Sequence, residues 1–333
     1  MRIVRRLAWA VFVVWATVSL AFLVNHALPS DPARMIAGQQ APPAAVAKVR
    51  RDLELDRPLR VQYGRFLRRL LHVGPTAWPP KDPDHATCGN LGPLHLDLGK
   101  SYQERRPVTT ILAERAPRSL LLAIAAAAVQ SLLGVGAGVL AAASKRRGTD
   151  RAVVALSLVG VSAPTFVIGL LLQRVLGYEL RVLPIDGYGE SAADHARSLV
   201  LPAITLGVVG AAYYARVVRD EVLGELAQDY IRTARAKGLG RAAVVVRHAL
   251  RNAMLPIVTM LGLEVGTLVG GAIVTESIFR WPGLGALSVD ALLNRDGPIL
   301  MGTVIVTSTA VVIATLAVDL AYGLVDPRLR RRR

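Results

Sequence analysis

Uncharged apolar runs of about twenty residues recur along this chain, and that recurrence restricts its fold more than any other feature. The run LAWAVFVVWATVSLAFLVNHAL at 7–28 is representative. At about 1.5 Å per helical residue, a run of that length covers the roughly 30 Å hydrocarbon layer of a bilayer. Five more follow, at about 117–143, 152–176, 199–215, 253–279 and 299–325. Soluble domains rarely carry such runs, and lipid gives a backbone no hydrogen-bond partners, so each is read as a helix. The expected fold class is an all-α integral membrane protein with six transmembrane helices. Arg2, Arg5 and Arg6 make the first run resemble a signal peptide. Its length and the lack of a small-x-small cleavage site argue for a retained helix.

The chain has 333 residues and a formal net charge of +16. In a soluble protein that charge would suggest nucleic acid, but the four Trp and scattered Tyr form no stacking surface interleaved with basic residues, and the arginines cluster at the ends of apolar runs. With the N-terminus inside, the inner segments hold twenty basic residues and the two short outer loops hold four, Arg181, Arg197, Arg280 and Arg295. That asymmetry places both termini on the cytoplasmic side. The outer stretch 29–116 is long enough to escape the charge rule. Arg174, at the outer end of the third run, can snorkel.

Within 29–116, Leu59, Tyr63, Phe66, Leu70 and Val73 fall on one helical stripe, while Arg60, Arg65, Arg68 and Arg69 fall largely elsewhere. The stripe is read as a helix lying on the bilayer or on the outer ends of the spans, with a partner-docking surface as the second reading. Residues 74–99 are rich in Pro, Gly and Asp and read as loop. His85, Cys88 and His95, with Asp82 or Asp84, could be imagined as metal ligands, but the spacing lacks the tight pairs of zinc sites, and no metal is expected. The single cysteine excludes an internal disulfide.

Catalytic constellations are lacking. Ser162 lies in a Gly-x-Ser-x pattern inside the third run, but no histidine falls within the hydrocarbon of spans two to six to serve as its base. Ser162 is therefore read as a small packing residue beside a kink at Pro164. No Gly-rich phosphate loop ending in Gly-Lys-Ser/Thr occurs. An ion-coupled transporter using Glu264 and Asp319 is the alternative of a different class, and it expects an inverted repeat that the six runs do not show.

The fifth run carries Gly262, Gly266 and Gly270, a doubled small-xxx-small pattern that permits close helix contact. Glu264 lies about 200° round the helix from Gly262. An acid facing lipid is costly, so this span is expected to be enclosed on both sides, with Glu264 either on a solute pathway or paired with a neighbour. Asp319 reads as an interfacial partner for an inner arginine such as Arg328. Pro256 marks a second kink.

Taken in order, several segments resemble the first permease subunit of dipeptide, oligopeptide and nickel ABC importers. They are LPSDPA (28–33), LELDRPLRVQY (53–63), DLGKSY (97–102), PVTTIL (107–112), VSAPTFVIGLLL (161–172), YIRTARAKGL (230–239), RHALRNAMLP (247–256), FRWPGLG (279–285) and DPR (326–328). Ser30 and Glu54 replace glycines of the family pattern, and 74–95 looks like an insertion. Arg232-Thr233-Ala234 stands where the general family loop reads Glu-Ala-Ala, a form the peptide branch shares.

The resemblance implies a type I ABC importer permease fold. Residues 1–28 would hold the first helix, 29–116 a helical extracytoplasmic region, 117–325 the permease core with a coupling loop at 216–252, and 326–333 a basic cytoplasmic tail. It implies a multi-pass protein of the bacterial cell membrane. Its partners would be a homologous second permease, two ATPase subunits inside and a solute-binding protein outside. ATP and magnesium would be held by the ATPase subunits, with no cofactor in this chain. Peptides are the expected cargo, nickel or another small solute the alternative. The resemblance assigns ATPase coupling to Tyr230, Arg232, Thr233, Ala234, Lys237, Gly238 and Leu239, with Tyr230 and Ala234 on one docking face. The translocation path and its packing would involve Ser162, Pro164, Gly262, Glu264, Gly266 and Gly270.

Overall fold

The computed structural model describes residues 2–27, 32–38, 40–52, 55–73, 87–91, 94–144 and 147–325. The start of the LPSDPA segment, most of the 74–95 insertion with His85, and the DPR tail lie outside the described residues. In chain order the helices are α1 (Arg2–Ala27), α2 (Pro32–Ala37), α3 (Pro43–Asp52) and α4 (Leu59–Leu70). Three strands follow, β1 (Leu71–Val73), β2 (Cys88–Leu91) and β3 (Leu94–Asp97). Then come α5 (Val108–Ala143), α6 (Arg147–Ser162), α7 (Thr165–Leu172), α8 (Ala192–Leu226), α9 (Asp229–Ala236) and α10 (Arg241–Ala243). The chain closes with α11 (Arg251–Gly271), α12 (Ile273–Ile278), α13 (Leu284–Leu293) and α14 (Gly297–Val325). Wider helical turns at Gln173–Glu179 and Val244–Leu250 extend α7 and lead into α11.

Four of these helices are each long and apolar enough to cross a membrane: 5–24 within α1, α5, α8, and 297–318 within α14. A fifth crossing results if 241–254 and 256–269, bent by 51° at Pro256, count as one. The third apolar run is divided. Pro164 has no N–H to donate and disfavours helical geometry in the residue before it, so α6 ends at Ser162 and α7 starts at Thr165. At 16 and 8 residues, neither piece crosses alone.

The described chain forms two compact units, 1–117 with 283–309, and 118–282 with 310–333. In the first, the α4 stripe packs on α1. The Phe22 ring lies 5.3 Å from Tyr63 and 5.4 Å from Phe66, and the Tyr63 hydroxyl sits 2.5 Å from Ser19 Oγ. Tyr63 and Phe66 of the stripe thus lie against the first span, one of the two settings expected for it, while Leu59 and Val73 remain exposed.

The loop expected over 74–99 is corrected. β2 and β3 lie inside it and join β1 in an antiparallel sheet of order β1-β3-β2, so the fold is mostly but not wholly helical. The alternation in LHLD is inverted, which hides the strand: His95 and Asp97 are buried while Leu94 is exposed. Asp97 accepts hydrogen bonds from Arg69 at 2.8 Å, from Thr87 at 2.9 Å and from the Gly99 amide at 2.8 Å. A carboxylate so satisfied can be buried without the usual desolvation penalty. Asp296 serves likewise below α14: its Oδ2 accepts from Ser101 Oγ at 2.6 Å and from the Gln103 amide at 3.1 Å. Burial, and then the charge of Asp296, push the Tyr102 phenol up to about 12.

In the second unit α8 is the hub, packing against α6, α7, α11, α12 and the turn Val244–Leu250. Small residues bring α5 close to it. A Cβ on Gly134 would lie 2.6 Å from Tyr214 Cβ, and one on Gly138 would lie 2.7 Å from the Ala215 carbonyl oxygen. Such contacts bring backbones together in a setting where lipid gives no hydrophobic drive for association.

Candidate functional site

The basic segment that separates α8 from α11 is built from a single short helix. Gln228 opens α9 in extended geometry, and α9 runs for 8 residues. Its inward face is Ile231, fully buried, with Ala234, 7% exposed. Both join a core of Val218, Val222, Val244, Val245, Ala249 and Ile257. Ala234 is thus turned toward the core while Tyr230 is partly exposed, and residues at i and i+3, here Ile231 and Ala234, set the buried stripe. The surface that remains outward carries Arg232, Thr233, Lys237, Gly238 and Leu239.

Tyr230 has a holding role. Its hydroxyl donates to Glu225 Oε2 at 2.5 Å and accepts from Asn252 Nδ2 at 2.9 Å, tying the end of α8 to the start of α11 across α9. Partial burial, and then the Glu225 bond, raise its phenol above the ordinary range. The helix stops at Gly238, whose φ is +79°. The Gly238 amide donates to Arg235 O at 2.9 Å and the Leu239 amide to Ala234 O at 3.4 Å. This pair of bonds closes a helix through one left-handed residue and satisfies its last carbonyls.

The same closure ends α12 and α13 with arginine as the left-handed residue. Arg280 and Arg295 have φ of +48° and +53°. Their amides donate to Ser277 O and Leu292 O, and those of Trp281 and Asp296 to Glu276 O and Ala291 O. Arg181, at +52°, follows the end of the turn Gln173–Glu179.

Gly262 and Gly266 form the expected close contact, and α14 is their partner. A Cβ on Gly262 would collide with Val318, and one on Gly266 would lie 2.5 Å from Ala314 Cβ. Gly270 is in α11, and its surroundings lie outside the described residues, as does the side chain of Asp319. α11 meets α14 on its glycine side and α8 through Ala253 and Ile257, while Glu264 is half-buried and its neighbour Leu263 is exposed. Ser162 is exposed at the end of α6, and Pro164 starts α7. Ser162, Pro164 and the glycines of α11 therefore belong to three separate helices, α6, α7 and α11, all of which flank α8.

Sequence reading passed over several buried polar residues. Ser119 Oγ donates to Glu276 Oε1 at 2.7 Å, and Glu276 is fully buried. Trp281, also fully buried, donates from its indole to the Arg118 carbonyl at 3.1 Å. Gln130 and Tyr214 are buried on α5 and α8. Trp281 lies in the FRWPGLG segment, a signal that was available; Glu276 and Gln130 carried none beyond their polarity within apolar sequence.

Comparison with known proteins gives consistent matches over nearly the whole chain. The model for the binding-protein-dependent transport system inner membrane component matches residues 134–331, and its N-terminal companion matches 1–123. A glutathione transport system permease protein of Salmonella paratyphi A is 39% identical over 311 residues, covering 93% of this chain and 92% of that protein. Its counterpart in Escherichia coli K12 is 37% identical over 328 residues, 98% of each.

Proposed function

This chain belongs to the family of binding-protein-dependent transport system inner membrane components, and on that premise we propose that it forms half of an alternating-access path for small peptides. It is a permease subunit of an ABC importer and not an enzyme, since in this family ATP is hydrolysed by a separate subunit. The family implies a solute-binding protein, a paired permease and ATPase partners in the membrane assembly. The relatives named above transport glutathione, itself a small peptide, which supports peptide-like cargo over nickel. The reading keeps six spans with both ends inside, the third made jointly of α6, α7 and the turn after them.

One observation carries the coupling assignment: α9 is seated on the core by Ile231 and Ala234 while it offers Arg232, Thr233, Lys237 and Leu239 outward. A short helix fixed beneath but free above is what an ATPase groove needs to move a permease as a rigid body. A substitution at Gly238 tests this. Its absent side chain would touch nothing within 4 Å, so the effect is backbone strain, about 1–2 kcal/mol, plus whatever the docked partner meets. In a reconstituted complete complex, Gly238→Asp should lower uptake by about tenfold or more, the factor that matches about 1.4 kcal/mol, while ATP hydrolysis persists. Uptake equal to the unaltered complex would remove the coupling role. The cargo is tested by co-purifying the solute-binding subunit and identifying what it carries; a bound nickel ion in place of a peptide would overturn the peptide reading.

A further inference from the structure

The three-stranded sheet places three ligand-bearing side chains on one face. His72 on β1 is paired with His95 on β3, and Asn90 on β2 is also paired with His95. Directly opposed residues point to the same face, as do residues two apart on one strand. Cys88, paired with Asp97 two residues from His95, therefore shares the face with both histidines. One ring nitrogen of each histidine and the Cys88 sulfur all lie within 4.8 Å of one another. His95 is fully buried, Cys88 is 4% exposed and His72 is half-buried.

Two details exceed chance proximity. The His72 Nε2 to Cys88 Sγ distance is 3.6 Å. With Zn–S of about 2.3 Å and Zn–N of about 2.0–2.1 Å, two ligands of a tetrahedral ion are separated by about 3.6 Å. The other ring nitrogen of His72, Nδ1, lies 2.9 Å from the Arg69 carbonyl oxygen. A carbonyl only accepts, so Nδ1 carries the proton and Nε2 presents its lone pair to the sulfur. That carbonyl contact is the outer support that metal-bound histidines commonly have.

We infer that His72, Cys88 and His95 form a site for a thiophilic d10 cation, Zn2+ or Cu+, held by two imidazoles and a thiolate. Two neutral nitrogens and one sulfur suit such ions and are poor ligands for Mg2+ or Ca2+, which require oxygen. Asp97 shares the face, but its carboxylate is already engaged by Arg69, Thr87 and the Gly99 amide. The fourth position is therefore left to water or to another ligand. The ion would clamp the end of α4, through β1, to the two strands that the insertion brings back to it. His85, the histidine that linear spacing suggested, is replaced by His72 from a strand outside the insertion.

Metal binding to the full-length chain in lipid nanodiscs decides the matter. After chelator treatment, Co2+ is titrated as a spectroscopic stand-in, followed by Zn2+ and, anaerobically, Cu+. One equivalent of Zn2+ or Cu+ should bind, Co2+ should give a sulfur-to-cobalt charge-transfer band, and Zn2+ should shield Cys88 from alkylation. Cys88→Ser, which preserves size, should abolish the band, and His72→Asn should weaken binding by at least about tenfold, the lower end for lost metal contacts. His85→Ala should change neither. Absence of stoichiometric binding, or binding that survives Cys88→Ser, would show that the sulfur and imidazole make only a thiol–imidazole hydrogen bond. The outcome does not depend on cargo or coupling.

Discussion

Gly134 and Gly136 stand two residues apart on α5 in opposite surroundings. A Cβ at 134 would press on Tyr214 and the Ala211 carbonyl, whereas one at 136 would meet nothing within 4 Å. Gly134→Ala should therefore destabilise the protein by about 1–3 kcal/mol through overpacking. Gly136→Ala should leave it unchanged or raise stability by up to about 1 kcal/mol through helix propensity. Thermal unfolding of the two purified variants checks the contrast. Tyr102 supplies a pH prediction. Its phenol titrates near 12 in the fold, against about 10 when unfolded, so the unfolded state loses its proton first. Stability should hold below about pH 10 and fall from there to about pH 12, and Tyr102→Phe should flatten that decline in alkaline unfolding curves. The sequence offered no route to either result. Glycine spacing was legible on α11, where the i+4 pattern repeats, but on α5 it depends on which neighbour α8 presents. The helical stripe was read through to Val73, but the chain leaves that period after Leu70, and strand β1 sets His72 beside Cys88 and His95.

At the scale of elements, the helix α9 was legible and its orientation was not. The Gly238 stop and the basic composition could be read directly, because a left-handed closing residue and a charged surface are local properties. The inward turn of Ala234 depends on Ile231 and on side chains more than ten residues away, which no local pattern encodes. Ile231→Ala should cost about 2–5 kcal/mol of packing and loosen α9 from its seat. Limited proteolysis should then cut within 229–239 sooner than in the unaltered protein, whereas Lys237→Ala, at an exposed position, should leave that segment as resistant as before. Equal cleavage in the Ile231 variant would mean the helix is held by Tyr230 and its two hydrogen bonds alone. The sheet was missed for a related reason. A strand that buries His and Asp and exposes Leu inverts the alternation by which half-buried strands are read.

For the whole molecule, membrane character was the most legible property, since run length and charge asymmetry act along the chain without tertiary context. The division of the third run was anticipated as a kink at Pro164, while the central place of α8 was not, because all the apolar runs look alike until their neighbours are known. Topology is open to direct test. On a Cys88→Ser background, a single cysteine at Lys237 should react with a membrane-impermeant thiol reagent only in inverted vesicles, and one at Arg65 only in intact cells. Labelling of both from one side would refute the six-span arrangement.

The left-handed arginines have a bearing on how the chain is made. In the proposed six-span topology, Arg181, Arg280 and Arg295 would be three of the four basic residues of the short outer loops, and each follows the end of a helix. At that end a cation is favoured by the helix dipole by about 0.3–1 kcal/mol, which offsets part of the strain of about 1–2 kcal/mol. During biosynthesis, however, orientation is decided by charge, and these residues pull toward the wrong side. Replacing all three with glycine would relieve backbone strain and leave Arg197 as the sole dissenting charge. Such a chain should insert in one orientation more uniformly than its parent does.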